Sequence, residues 1–194
     1  MSLIRIALAG EGGQGVQSVA EILAEAAYNE NKQTIYIPNF GIEQRGGVSI
    51  AFIQFSATRI GAPKFHKADV VIALSARSVA RTAIYSDNNT LFVYDCGFAP
   101  DPQDFPQEVK RLIGLPAVQT ANMELHPRVF NIIIMGAVIG LTNVVSFASA
   151  QDALEKTFAY QFEKNQDLKE LNIRALEIGK KMAEQSLQGE VTSV

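Results

Sequence analysis

The sequence predicts an α/β fold, a mostly parallel sheet flanked by helices with a helical C-terminal portion, on three observations. An apolar run over residues 3–9 stops at Gly10, passes through glycines at 12, 13 and 15, and gives way to helical spacing. Further short apolar runs then alternate with helical or loop-like stretches as far as about residue 113. Beyond about residue 127 only helical patterns remain. Strands interleaved with helices bury both faces of a sheet, and this is the α/β pattern. The 194 residues contain no repeat and no long linker, so the expectation is one domain over 1–187 and a frayed tail over 188–194.

Taken in order, residues 3–9 read as a buried parallel strand, being apolar without alternation. Residues 16–30 follow as a helix, with Val16, Val19, Ala20, Leu23, Ala26 and Ala27 on one face and Glu21, Glu25 and Glu30 on the other. Residues 34–37 form a short β-branched and aromatic strand ended by Pro38, completing a unit the size of one right-handed βαβ crossover. Strands are further expected over 48–55, 69–74 and 90–94, with a helix over 77–85. Prolines at 100, 102 and 106 mark a surface loop. A last strand is expected over 109–113, closed by Pro116, and then helices over about 127–141, 150–161 and 166–187.

Composition narrows the chemistry. Hydrophobic residues make up 47% and charged residues 19% of the chain, the latter below the roughly 25% of an ordinary domain. Mean hydropathy is +0.08, so part of the surface is expected to be covered by other protein. One cysteine and two histidines cannot supply the roughly four ligands of an iron–sulfur cluster or a structural zinc ion. With a net charge of −3 there is no general drive toward nucleic acid or anionic membrane. The absence of a disulfide framework and of a signal-like start fits a cytoplasmic protein. Residues 129–151 carry no charge, yet Asn131, Gly136, Gly140, Asn143 and several hydroxyls interrupt them, and no basic cluster flanks them. They are read as a core or interface element in which Gly136 and Gly140 let another helix approach.

Two motifs could carry chemistry. Gly10-Glu11-Gly12-Gly13-Gln14-Gly15 has the G-x-G-x-x-G spacing between a strand and a helix, where backbone N–H groups and a helix amino-terminus can receive a phosphate or carboxylate. A dinucleotide would also need an acidic residue near the end of the second strand, and Pro38 and Asn39 stand there. Glu11 would in addition repel a pyrophosphate. Glu43-Gln44-Arg45-Gly46-Gly47 sets a guanidinium fork beside two glycines, suited to an anion approached closely by backbone, or to a plain turn. Cys96 reads as a small buried thiol and Asp95 as a residue at a strand's carboxyl end, where ligands gather in such sheets. His126 reads as a helix-start residue and His66 as a solvated loop residue.

The combination resembles the gamma subunit of 2-oxoacid:ferredoxin oxidoreductases. The residues that carry the resemblance are Gly10 to Val16 with the small-residue helix Ile22 to Ala27, then Phe40-Gly41-Ile42-Glu43-Gln44-Arg45-Gly46-Gly47, then Ile60-Gly61-Ala62-Pro63 with Ala68 to Leu74. Asn131 with Met135-Gly136-Ala137, and Asn172 with Ala175, Leu176 and Gly179, complete it over about residues 3–182. The resemblance implies a Rossmann-like domain in a multi-subunit enzyme that oxidatively decarboxylates a 2-oxoacid with coenzyme A, giving acyl-CoA and carbon dioxide and reducing ferredoxin or flavodoxin. It implies thiamine diphosphate and iron–sulfur clusters on partner subunits and none on this chain. It assigns no catalytic residue here, no nucleic-acid contact and no membrane span. It puts Gly10, Gly12, Gly13, Gln14, Gly15, Glu43, Arg45, Gly46 and Gly47 at the active site, at coenzyme A, or against a neighbouring subunit.

The pyruvate-specific pattern often has Gly-Arg before Gly-Gly-Gln-Gly, and Arg-Gly-Ala-Pro after the glutamate. Here Gly10-Glu11 and Arg45-Gly46-Gly47-Val48 stand at those places, whereas Phe40-Gly41 is nearer the pyruvate form. The substrate 2-oxoacid is therefore left open. The alternatives are a free-standing NAD- or FAD-dependent oxidoreductase and a ligand-binding module built on the same loop.

Overall fold

The computed structural model describes residues 3–40 and 47–188. Its six strands are β1 (Ile4–Glu11), β2 (Gln33–Asn39), β3 (Val48–Ser56), β4 (Val70–Ala73), β5 (Leu91–Asp95) and β6 (Arg111–Leu115). The α-helices are α1 (Val16–Asn29), α2 (Ala76–Thr82), α3 (Ala117–Glu124), α4 (Phe130–Thr142), α5 (Phe147–Thr157), α6 (Ala159–Lys164) and α7 (Gln166–Gln188). Gln188 is thus still helical, and the remainder of the expected tail, 189–194, lies outside the described residues.

The strand order is β2-β3-β1-β4-β5-β6. β1, β4, β5 and β6 pair in parallel, while β3 runs antiparallel to both β1 and β2. β2 therefore shares the direction of β1, and β3 alone is reversed. The β1–α1–β2 crossover steps over one place, because β3 fills the gap between β1 and β2. An apolar run reports burial but not the direction of its partners.

The two faces of the sheet are covered differently. Ile6, Leu8, Ile53, Ile72 and Val93 point into the larger core with α1, α4, α5 and α7. Ala7, Val71, Ala73 and Phe92 point the other way, against Val79 of α2. α1 and α2 follow β1 and β4, which are neighbours, yet they lie on opposite faces. The crevice at the carboxyl ends of β1 and β4 is consequently the place where an open α/β sheet receives ligands.

The uncharged stretch becomes α4, whose residues from Phe130 to Ile139 are all buried. The helix stops where Asn143 turns left-handed, with φ 51°. No helix among the described residues is long and apolar enough to cross a membrane. The helix that approaches Gly136 and Gly140 is α7 of the same chain.

Several sequence expectations need correction. Residues 150–161 divide into α5 and α6 at Phe158, and α5 starts earlier, capped by Ser146, whose hydroxyl accepts the Ser149 N–H at 3.1 Å. The last strand lies two residues later than expected, at Arg111–Leu115. α3 has no counterpart among the expected helices. Its N-cap, Pro116, offers no side-chain cap, and the Asp95 carboxylate, on β5, accepts the Val118 N–H at 2.7 Å in its place. Glu30 is not on a free solvent face: it accepts from Lys32 Nζ at 2.6 Å and from the Ser146 N–H at 2.6 Å.

Candidate functional site

β1 continues two residues past Ala9, so that Gly10 and Glu11 pair with Ser49 and Val48 of β3. The loop then closes on itself. Gln14 donates its N–H to the Glu11 carbonyl at 3.1 Å, and its side-chain Oε1 accepts the Glu11 N–H at 2.7 Å.

The four glycines of the loop serve separate ends. A Cβ on Gly10 would stand 2.7 Å from Val16 Cγ2 and 3.1 Å from Leu74 Cβ, so that position is small for packing. Gly13 and Gly15 have φ of 89° and 75°, left-handed values that L side chains rarely adopt. Gly12 has ordinary φ, is exposed, and would meet nothing within 4 Å on gaining a Cβ. Neither packing nor turn geometry explains it; its backbone is simply open to close approach.

Gly15 is the N-cap of α1, with no side-chain cap and no acidic residue in the first turn. The first intrahelical bond joins the Val19 N–H to the Gly15 carbonyl at 3.0 Å, leaving the N–H groups of residues 16, 17 and 18 ahead of it. Such an end favours an anion through both its free donors and its dipole. Tyr36 ties this turn to β2 by donating its hydroxyl to Gln17 Oε1 at 2.5 Å.

Gly47, the last residue of the second motif, comes to the same edge of the sheet. Gly47 directly precedes Val48, the partner of Glu11, and Asn39 at the end of β2 pairs with Ile50. Gly47 is half-buried. Glu43, Arg45 and Gly46 lie outside the described residues. Pro38 and Asn39 do close β2, where a dinucleotide ribose would require a carboxylate.

The other candidates at this edge have structural employment. Ser75 follows β4 and caps α2, its Oγ accepting the Ser78 N–H at 3.2 Å. Asp95 is 1% exposed and accepts from the N–H groups of Gly97 and Val118, both at 2.7 Å. Burial raises its pKa, and these backbone donors oppose the rise. One oxygen holds the turn after β5 and the other the start of α3. Cys96 is half-buried, and burial together with the neighbouring Asp95 charge pushes its thiol up, the reverse of an activated nucleophile. His66 is exposed; His126 starts a 3-10 turn, its Nδ1 accepting the Arg128 N–H at 3.1 Å.

Asn131 was legible in the sequence only as part of a pattern, and it reaches this site from α4. A Cβ on Gly15 would stand 2.2 Å from its Nδ2. Among the described residues no three or more His, Cys, Asp or Glu side chains gather as a metal site would require.

Residues 5–182 match the family described as pyruvate ferredoxin/flavodoxin oxidoreductase. The chain belongs to this family. Within it, the chain is 32% identical to the ketoisovalerate oxidoreductase subunit VorA of Methanothermobacter thermautotrophicus, over 97% of this chain and 38% of that protein. It is 31% identical to the pyruvate/ketoisovalerate oxidoreductases common subunit gamma of Pyrococcus furiosus, over 84% of this chain and 91% of that subunit. The chain thus spans about two fifths of the first relatives and nearly all of the separate gamma subunits.

Solved structures agree with this family membership. The 2-oxoglutarate:ferredoxin oxidoreductase from Magnetococcus marinus, with 2-oxoglutarate, coenzyme A and succinyl-CoA bound, superposes with a TM-score of 0.85 at 25% identity, over 95% of this chain and 31% of that one. The gamma subunit of a keto/oxoacid ferredoxin oxidoreductase from Geobacter sulfurreducens superposes with a TM-score of 0.75 at 25% identity, over 93% and 98%.

Proposed function

We propose that this chain is the gamma component of a 2-oxoacid:ferredoxin oxidoreductase, a cytoplasmic complex that converts a 2-oxoacid and coenzyme A to acyl-CoA and carbon dioxide while reducing ferredoxin or flavodoxin. The observation that carries this reading is the open glycine loop at the carboxyl edge of β1, uncapped and unoccupied by any side chain at Gly12, on a chain of this family. Its role is to bind and orient. The N–H groups at the start of α1 supply donors to an oxyanion, and the open face of Gly12 lets that ligand approach the backbone. Gly10, Gly13, Gln14 and Gly15 hold the loop in shape, while Glu43, Arg45, Gly46 and Gly47 are assigned to coenzyme A, the thiamine centre or an adjoining subunit.

The electron-transfer chemistry belongs to the partners. One cysteine cannot ligate a cluster, and the family resemblance assigns thiamine diphosphate as well as the iron–sulfur clusters to other polypeptides or other domains of the complex. Thiamine diphosphate supplies the carbanion-stabilising chemistry when bound. The apolar composition, with its 19% of charged residues, suits a component largely enclosed by them.

Co-purification from native extract, with identification of the associated polypeptides, tests the proposal. Thiamine-binding and cluster-bearing partners are expected, and adding the chain to those partners restores 2-oxoacid- and coenzyme A-dependent reduction of a viologen dye. The isolated chain should be colourless and inactive. A brown chain active by itself, or one that binds NAD or FAD at micromolar concentration, would overturn the reading.

A further inference from the structure

The two edges of the sheet are finished differently. Edge strands are commonly blunted by shortness, charge or proline, because their outer N–H and C=O groups invite another strand. β6, at one edge, has five residues and starts with Arg111, directly after Lys110. β2, at the other, has seven residues from Gln33 to Asn39 and no charged side chain. Among the described residues no strand pairs with its outer side. Pro38 alone blunts it, near the carboxyl end.

The register fixes which groups β2 presents outward. The Arg5 and Ala9 carbonyls accept from the Asp69 and Leu74 N–H groups at 2.9 and 2.8 Å, so Arg5, Ala7 and Ala9 turn toward β4. Ile4, Ile6 and Leu8 therefore bond to β3, which leaves Phe52 and Gln54 to bond to Ile37 and Ile35 of β2. Thr34, Tyr36 and Pro38 face out. Proline stands where its missing N–H forfeits no ladder bond, and Thr34 and Tyr36 each offer an N–H and a C=O.

The same two residues line a groove of about 590 Å³ beside β2, walled by Glu21, Glu25 and Tyr28 of α1 and by Lys156 of α5. Lys156 is paired with Glu25. Glu21 is exposed, and no cation of the described residues pairs with it. Burial and the Glu21 charge together raise the pKa of the Tyr36 hydroxyl. On the opposite face of β2, Ile35 and Ile37 are half-buried and stand outside both apolar cores.

We infer that the outer edge of β2 takes an extended segment of a partner polypeptide as a seventh strand, with a Lys or Arg of that segment directed at Glu21 and apolar residues at alternate positions against Ile35 and Ile37. The edge groups of Thr34 and Tyr36 call for an extended backbone. Residues opposite those two share their face of the sheet and so enter the groove, while their neighbours meet the isoleucines. The uncompensated carboxylate selects a cation there. A second copy of this chain fits poorly, because its β2 would direct only uncharged side chains into the groove. The inference rests on the proposed function, since it places the segment on a polypeptide of the same complex.

Hydrogen exchange resolved to single amides, measured on the full chain alone and in the complex isolated with its partners, tests this. In the chain alone the Ile35 and Ile37 amides should be protected by β3, while those of Thr34 and Tyr36 exchange fast. In the complex the exchange of Thr34 and Tyr36 should slow by at least about tenfold. Glu21→Lys, a change at an exposed helix position, should leave the denaturation midpoint of the chain unchanged. It should weaken binding to the partner polypeptides about tenfold or more at low salt, and less at high salt. If Thr34 and Tyr36 still exchange fast in an intact, active complex, or if Glu21→Lys binds as tightly as wild type, the inference fails and the proposed function stands. Slow exchange in the monomeric chain would mean that its own residues cover the edge, and slow exchange in a dimer of the chain would put a second copy there. Either overturns the inference. Failure to isolate any complex removes the proposed function and the inference with it.

Discussion

Gly179 of α7 lies backbone-to-backbone against Gly136 of α4: a Cβ at 179 would stand 2.9 Å from the Gly136 Cα, 2.7 Å from the Ala137 nitrogen and 2.0 Å from the Ile133 carbonyl oxygen. The contact is reciprocal, since a Cβ at 136 would stand 2.3 Å from the Leu176 carbonyl oxygen. α7 thereby backs the helix that carries Asn131 to the glycine loop.

Gly179→Ala should therefore destabilise the chain. The neighbours are backbone atoms and cannot rotate aside, so the overpacking cost of up to about 3 kcal/mol exceeds the helix-propensity gain of about 1 kcal/mol. A net loss of about 2 kcal/mol is expected in chemical denaturation. Gly140→Ala meets only the Ala183 Cβ, at 2.7 Å, and should lose less. Equal losses at the two positions would mean that the backbone contact is not what keeps 179 small.

A second prediction concerns acid stability. Burial would raise the Glu30 carboxyl, but Lys32 Nζ, the Ser146 N–H and the hydroxyls of Ser149 and Ser146 outweigh it and hold the group at about 2. A carboxyl depressed in the folded state stabilises above its unfolded value of 4.5 and loses that stabilisation as pH falls toward about 2. Glu30→Gln should cost about 1.5 kcal/mol at neutral pH, the low end for a hydrogen bond to a charged group. The gap between wild type and variant should close between pH 4.5 and 2, as measured by denaturation midpoints across that range.

The six strands were readable as apolar runs, although β6 lies two residues later than its run suggested and β2 runs on through Pro38, expected to end it, to Asn39. What escaped the sequence is non-local. The 48–55 run announces a strand, yet nothing in Val48 to Phe55 says that it inserts between β1 and β2. α3 is short and weakly patterned, and its cap, Asp95, is 23 positions from Val118. Glu30 looks like a solvent-facing helix residue until folding brings Ser146 to it, 116 positions away. The glycine loop was recognisable as a site from spacing alone, whereas the separate reasons for its four glycines are distances and dihedral angles. Asn131 needed the fold, because its partner is a glycine with no side chain to signal the meeting.

Arg45 gives a prediction at the level of the assembled enzyme. Its guanidinium fork can take an oxyanion with two parallel hydrogen bonds, which the point charge of lysine cannot reproduce. Arg45→Lys in the reconstituted complex should lower activity, or the affinity for coenzyme A, by roughly ten- to a hundredfold, as for loss of a charge-assisted contact. The denaturation midpoint of the chain should scarcely change. Wild-type turnover and coenzyme A dependence in this variant would reduce Arg45 to an ordinary turn residue, while leaving the family membership intact.

Gly12 and Gly15 separate ligand binding from folding within one loop. At Gly15 an alanine meets two obstacles: a φ of 75°, which costs an L residue about 1–2 kcal/mol, and the Asn131 Nδ2 only 2.2 Å from its Cβ. Gly15→Ala should lower stability by about 2–4 kcal/mol and weaken ligand binding as a consequence. At Gly12 neither obstacle exists, for the dihedral is ordinary and the space above is empty. Gly12→Ala should leave stability within about 0.5 kcal/mol of wild type, as an exposed surface substitution does. If a ligand approaches the loop backbone there, the new methyl group occupies its place, and affinity for coenzyme A in the assembled enzyme should fall with no change in the denaturation midpoint. Unchanged affinity in Gly12→Ala would move the ligand off the crest of the loop and onto the α1 end alone, beside Gly15 and Asn131.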